Sequence, residues 1–530
     1  MARRNPSRPL IVEPSGPPPG KKVNRSVLAA GLVLITGAAA WLLAAFLIEQ
    51  VAVRRLPQVP DLENLPAAVA AAVTEADAAA RSRATPANVG NLGMVYQGNL
   101  FPHEALRAYA VAQSLDPGDW RWPYHRGLVL VERGDQVGAA EAFRFVTTAS
   151  PAWGLAQFHL AEIAFKAGRP ADAEAAYRAA ESAPVLPSVA PDDAPPRRAM
   201  PLAAHASFGL SRFHLDRGEV DAAQKRLAAL TTAHPEFGSA QALLLRLDAK
   251  RLDGAKDDGR AYVPPADPWL DAVVARSWHP DLLLKHAAIA GRNGDTAWRQ
   301  WLVRRALTAS PNGLDVLLEA AATERAANRL DEALKFLKQA ETVAPGDHHT
   351  LVEQGRTLAD LGRFPEAESV LRRAVRVRDA AAEYNLGNVL DEMDRWDEAR
   401  EHYDRALAIN PFHSRALNNL GIGFSRHGDP QRAVTYYRRA IDIAPEVADS
   451  YTNLSAALGV LGRFREALEA TDMAVQLNPR AADAHSNRGI ALAQLGRRAE
   501  ARAAFETALR FDPGHRDARQ NLAALSSKYY

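Results

Sequence analysis

From residue 86 to residue 515 the apolar positions return every three or four residues in short runs. Each run closes on a glycine, an asparagine or a proline. This is the period of amphipathic helices about a dozen residues long, joined by tight turns. The prolines set a longer period. Pro411, Pro445, Pro479 and Pro513 stand 34 residues apart, as do Pro311 and Pro345, and Pro117 and Pro151. Aligned on them, Ala399, Ala433, Ala467 and Ala501 form one column and Ala406, Ala440, Ala474 and Ala508 another. Gly387, Gly421, Ser455 and Gly489 form a third small column beside large residues such as Leu386, Leu420, Leu454 and Leu390, Phe424, Leu458, Leu492.

Close packing of paired helices explains these columns. Two helices approach closely only where small side chains face each other, with large ones filling the gaps alongside. Leu-Gly-Arg-Phe at 361–364 and 461–464 and His-Gly-Asp at 427–429 supply turn chemistry between the helices of a pair. Glycine suits a helix C-terminus, and the proline that closes each unit cannot continue a helix. Unrelated amphipathic helices would share no such period.

The pattern resembles the tetratricopeptide repeat family. Asn419-Leu420-Gly421 with Phe424, Ala433, Tyr437, Ala440 and Pro445 is a near-complete unit, and Leu92-Gly93, Tyr96, Ala105, Tyr109, Ala112 and Pro117 match at the far end. Eleven units are expected: three over 86–187, one over 204–237 and seven over 280–515, of which 348–379 is two residues short and lacks its proline. The resemblance implies an all-α helix–turn–helix solenoid, a right-handed superhelix whose concave face is lined by the first helix of each pair.

The expected organisation is a basic, proline-rich, disordered tail over 1–26, a transmembrane helix over 27–48, and a linker with a capping helix over 49–85. A first array follows over 86–253, with a proline-rich insertion at 184–203. An inter-array linker spans 254–279, with Trp269 and Trp278 on a short helix there. A second array over 280–515 and a C-terminal capping helix over 516–530 complete the chain. Caps are expected because an end repeat otherwise exposes an apolar face.

The run at 27–48 holds 22 uncharged residues. As a helix it reaches about 33 Å, close to the ~30 Å hydrocarbon core of a bilayer. The apolar core of a cleaved signal peptide, the competing reading, is shorter. Arg3, Arg4, Arg8, Lys21, Lys22 and Arg25 precede the run, with Glu13 the only acid. The positive-inside rule then puts the tail in the cytoplasm and the repeats outside, although Arg54 and Arg55 follow the run. The Ala/Arg-rich composition suggests a bacterium, in which the repeats would lie on the periplasmic side of the inner membrane. The alternative is the cytoplasmic face.

Hydrophobic residues make up 47% of the 530 and charged residues 24%, with a formal net charge of +2. No basic excess points to nucleic acid. The absence of cysteine excludes disulfides, thiolate metal sites and thiol nucleophiles. No phosphate-binding glycine loop is present, Gly421 and Gly423 lie within a helix pattern, and His103-Glu104 lacks the second histidine of a zinc-protease motif. His348 and His349 are adjacent and diverge on a helix, as a solvated pair would. No cofactor, metal or small-molecule substrate is expected, and an enzyme is the least favoured class.

The sixth position of the first helices holds Asn385, Asn419, Asn453 and Asn487, and Asn521 continues the column into the cap. An amide side chain carries both donor and acceptor, so a row of them suits the backbone of an extended peptide. The column resembles the asparagine ladder of the O-linked N-acetylglucosamine transferases. Asparagine is also common at this position across the family, so a structural convention remains the alternative. The family's carboxylate clamp is incomplete, since the matching positions hold Arg415, Asp449 and Asp483. The expected function is a non-catalytic scaffold that binds a protein or peptide client, held to the membrane by 27–48. A cytoplasm-facing regulator or adaptor is the alternative.

Overall fold

The computed structural model describes residues 25–146, 150, 152–184, 194–195, 200–248 and 264–526, with only the backbone at 25–37, 245–246, 248 and 526. The tail at 1–24, most of the proline-rich insertion, the first part of the inter-array linker and the last four residues lie outside the described residues. Among the described residues every regular element is a helix.

Helix α1 runs Arg25–Arg55 and α2 runs Ala67–Ser82. Eleven antiparallel pairs follow. Four form the first array: α3 (Pro86–Gly98) with α4 (Pro102–Leu115), α5 (Arg121–Glu132) with α6 (Gln136–Arg144), α7 (Trp153–Lys166) with α8 (Pro170–Glu181), and α9 (Leu202–Asp216) with α10 (Val220–Ala233). The single helices α11 (Gly238–Asp248) and α12 (Pro268–Val274) come next. The second array pairs α13 (Pro280–Arg292) with α14 (Thr296–Ala309), α15 (Leu314–Ala326) with α16 (Leu330–Val343), and α17 (His348–Asp360) with α18 (Phe364–Ala374). It continues with α19 (Ala380–Glu392) and α20 (Trp396–Ile409), α21 (Ser414–Arg426) and α22 (Pro430–Ile443), α23 (Ala448–Val460) and α24 (Phe464–Leu477), and α25 (Ala482–Gln494) and α26 (Arg498–Phe511). α27 (Arg516–Ser526) closes it. Trp278 lies beyond α12, not on it: Pro280 opens the next helix, and the residues before a proline are pushed out of helical geometry.

The small column works as a socket. A Cβ built on Gly421 would lie 2.5 Å from the Tyr437 ring, and one on Gly489 2.5 Å from Phe505. Gly93 meets Tyr109 and Gly127 meets Phe143 in the same way. The first helix thus leaves a notch that the aromatic ring of the second fills, and Tyr109, Phe143, Tyr403 and Phe505 are fully buried there. In the unit at 448–477 the notch is closed by Ser455, and Thr471 stands where the neighbouring units carry the ring of Tyr437 or Phe505. Both are buried. The exchange preserves the fit, because a larger first-helix residue meets a smaller partner.

The turn inside each pair needs one residue in the left-handed region. Gly428, Gly462 and Gly496 fill it at φ 79°, 71° and 79°. Leu100, Asn328 and Asp394 fill it at φ 65°, 58° and 59°, a conformation that strains a branched side chain such as leucine most.

First helices of successive pairs touch each other, whereas second helices of successive pairs have little mutual contact. The array therefore curves with the first helices inside. At the short unit, α18 ends after 11 residues where its neighbour α20 has 14. Asp379 then caps α19 by accepting from the backbone of Ala382 at 2.9 Å.

The helix at the head of the chain joins the first repeat directly. Ala52 and Leu56 are buried against the same core as Val89, Leu92 and Tyr109, and Glu49 accepts a hydrogen bond from the backbone of Ala84 at 2.9 Å. Residues 38–48 are all exposed. Among the described residues no helix is long and apolar enough to cross a membrane. The side chains of 27–37, half of the expected span, lie outside that description.

Candidate functional site

The asparagine column lies on the inner helices of the second array. Asn385, Asn419, Asn453, Asn487 and Asn521 are all half-buried. Three of their amide groups reach back one repeat. Asn419 Nδ2 donates to Asn388 Oδ1 at 2.8 Å, Asn453 Nδ2 to Asn418 Oδ1 at 3.3 Å, and Asn487 Nδ2 to the Thr452 carbonyl at 3.3 Å and Ser455 Oγ at 3.2 Å. Asn388 Oδ1 also accepts from Tyr403 Oη at 2.9 Å, which ties the column to the packing ring of its own repeat. Burial raises the Tyr403 hydroxyl well above its ordinary range, so it stays a donor. The column therefore staples neighbouring repeats, which gives the structural alternative for these asparagines a physical basis. With the amide nitrogen so engaged, the side-chain oxygen is left as the acceptor for a ligand N–H.

The surroundings grade from charged to apolar. Arg325 holds Glu353 at 3.5 Å and Asp360 at 3.4 Å, while Arg356 reaches Glu353 at 3.8 Å. Burial, with the nearby Arg325 and Arg415, lowers the Arg356 pKa. Arg415, Asp449 and Asp483 are exposed at their helix starts, and Asp483 pairs with His515 at 3.1 Å. At the other end a pocket of about 280 Å³ opens between α23 and α25, lined by Ala456, Gly459, Val460, Phe464, Asn487 and Ile490. Val460 is 76% exposed, so this apolar surface faces solvent. His348 is not a free solvated residue: its Nε2 lies 3.1 Å from Asp379.

The first array carries the same column in other residue types. Eight residues after Pro411 stands Asn419; eight after Pro117 and Pro151 stand His125 and His159. Asn91 occupies the place in the first repeat. The 34-residue step held this signal, masked by the change from amide to imidazole. His125 is 2% exposed, stacked on Tyr109 at 5.4 Å, and burial holds its pKa down at about 3. His159 stacks on Phe143 at 4.8 Å, with its pKa lowered to about 4 by burial.

This inner face is occupied by the chain itself. The expected linker returns as α12 and the turn after it, seated on α3 and α5. Tyr124 Oη donates to Asp267 at 2.6 Å, and Trp269 packs edge-on to Trp120 at 5.2 Å and Tyr124 at 5.9 Å. Arg276 Nε donates to Asn91 Oδ1 at 2.7 Å, and the Trp278 backbone donates to Asn99 Oδ1 at 2.9 Å. Gly98 permits the approach: a Cβ there would lie 2.8 Å from the Val273 carbonyl oxygen.

Family models of the tetratricopeptide repeat match residues 91–152, 139–187, 348–373, 378–446 and 452–516. The chain is a tetratricopeptide-repeat protein. It is similar to the human protein O-mannosyl-transferase TMTC3, at 30% identity over 124 residues, 23% of this chain and 14% of that protein. It is also similar to anaphase-promoting complex subunit 3 of Schizosaccharomyces pombe, at 30% identity over 105 residues, 19% of this chain and 16% of that one. The match spans less than a fifth of either relative. Among solved structures, the Cut9–Hcn1 hetero-tetramer of the APC/C aligns over 87% of this chain and 93% of that one, at 15% identity and a TM-score of 0.40. PilW, a type IV pilus biogenesis factor, aligns over 38% and 93%, at 20% identity and a TM-score of 0.35.

Proposed function

We propose that this protein is a non-catalytic scaffold that binds an extended segment of a client protein along the inner face of its second array. The observation that carries this reading is the half-buried asparagine column on adjoining inner helices. Its amide nitrogens brace the repeats, which leaves its oxygens as the acceptors open to a ligand. Pairing to a client backbone through such oxygens is independent of the client's side chains. The pocket beside Asn487 adds a place for one apolar side chain.

The second part of the proposal is an anchor at 27–48 in a bacterial inner membrane, with the repeats on the periplasmic side. Support comes from the uncharged 22-residue run and from the exposure of its apolar side chains in the second half. Trp41 is 70% exposed and Leu42, Leu43, Phe46, Leu47 and Ile48 are exposed around it, on every side of the helix. Such a surface is unfavourable in water and matches a lipid environment. The continuous α1 carries that surface straight into the first repeat. The opposite orientation, a cytoplasm-facing adaptor, draws on Arg54 and Arg55 just beyond the run.

Alkaline phosphatase fused after Tyr530 tests the orientation: activity supports export, and an active cytoplasmic reporter with no phosphatase activity refutes it. For the site, Asn385 is the cleanest probe, since its side chain makes no hydrogen bond among the described residues. Asn385→Ala with Asn419→Ala, Asn453→Ala and Asn487→Ala should lower client recovery in a crosslinking pull-down. Unchanged recovery would sink the ladder.

A further inference from the structure

The segment 267–279 engages the first array as a ligand would. It packs on the inner helices α3 and α5, while its far side meets α13 and its exit turn accepts a hydrogen bond from Arg305 of α14 at 3.0 Å, and it uses Asn91, the first-array member of the asparagine column. Asn99 takes a backbone N–H, and an indole fills the space beside Trp120 and Tyr124. Its cation is poorly compensated. Arg276, in the turn after α12, is half-buried, and its guanidinium donates only to neutral oxygens, those of Asn91 and of Ala272 in the last turn of that helix. No carboxylate pairs with it among the described residues. A desolvated charge without a counter-charge lowers the stability of the docked state without opposing its shape fit.

We propose that the inner face of the first array is a second ligand site, held closed by residues 267–279 as an exchangeable internal ligand. The ligand class is a short helical segment that presents an indole at its start and a guanidinium seven residues on, as Trp269 and Arg276 do. A competing segment of this kind enters only when the internal one leaves. Clients of the open second array therefore do not gain the first array without displacing it. This inference does not rest on the client reading of the second array, and its failure leaves that reading intact.

The test uses the full chain in detergent and a fluorescein-labelled synthetic peptide of residues 264–280. Trp269→Ala with Arg276→Ala removes the two side chains that hold the segment on α3 and α5 and should release it there, while the walls keep their sequence. By anisotropy the peptide should bind this variant, and bind the unaltered chain about tenfold or more weakly, because occupancy of the competent state scales the apparent affinity. Equal binding to both proteins would overturn the proposal, as would absence of binding to a variant whose helix content is unchanged. If the double variant loses helix content, Arg276→Ala alone is titrated by the same criteria. Loss of fold there too would make the segment part of the core and refute the proposal.

Discussion

The buried His125 makes the first array acid-sensitive in a calculable way. Its pKa is held at about 3 in the folded chain by burial, aided by the positive charges of Arg276 and Arg121 and opposed by Asp119, against 6.5 when exposed. The unfolded chain therefore binds the additional proton as pH falls below 6.5, and the folded chain does so only near 3. The stability attached to the neutral ring is present above the unfolded value and is lost downward from there. At about pH 5 the loss from this one residue is about 2 kcal/mol relative to pH 7.5. His159, half-buried by exposure, adds a smaller loss in the same direction. Seven of the nine tryptophans lie between residues 120 and 301, so urea unfolding followed by tryptophan fluorescence reports mainly on this region. His125→Phe keeps a ring in the stack with Tyr109 and Trp122. The variant should reduce the difference in unfolding free energy between pH 7.5 and 5 by about 2 kcal/mol. An unchanged difference would show that His125 is protonated without cost, and the packing account of the first inner face would fail.

Other substitutions separate packing from backbone strain. Gly421→Ala forces its Cβ toward the Tyr437 ring and should cost about 1–3 kcal/mol, read as a lowered urea midpoint by circular dichroism. Gly459→Ala, in α23, meets nothing within 4 Å and should instead stabilise by about 0.5–1 kcal/mol. Leu100→Gly relieves a leucine held at φ 65° and should stabilise the first array by about 1 kcal/mol, read as a raised urea midpoint. Arg395, which bridges Glu368 and Glu398 at 2.7 Å on the outer surface, should matter little: Arg395→Met is expected to cost less than about 1 kcal/mol, fading further with added salt.

The repeat was legible because packing writes the same small and large residues at the same step in every unit. The Gly–aromatic socket was half-visible. Gly421 stood in a column and Tyr437 in its unit, but their contact, and the Ser455–Thr471 exchange, emerge only when the two helices are superposed in space. The inner asparagines were legible as a column, whereas their bracing role depends on the register between neighbouring helices. Docking of 267–279 was not legible. Arg276 and Asn91 are 185 residues apart, and nothing local in a proline-rich linker encodes which surface it will meet. Aromatic neighbours account for the histidines that replace asparagine: His125 stacks on Tyr109 and His159 on Phe143.

The central claim is that clients bind on the concave side of the second array. A photo-crosslinking residue placed in turn at Asn385 and Ala456, on inner helices, and at Thr435, exposed on the outer α22, tests it in the full chain within native membranes. The account predicts adducts to a protein client from Asn385 and Ala456 and none from Thr435. Adducts from Thr435 alone, or equally from all three positions, would contradict it.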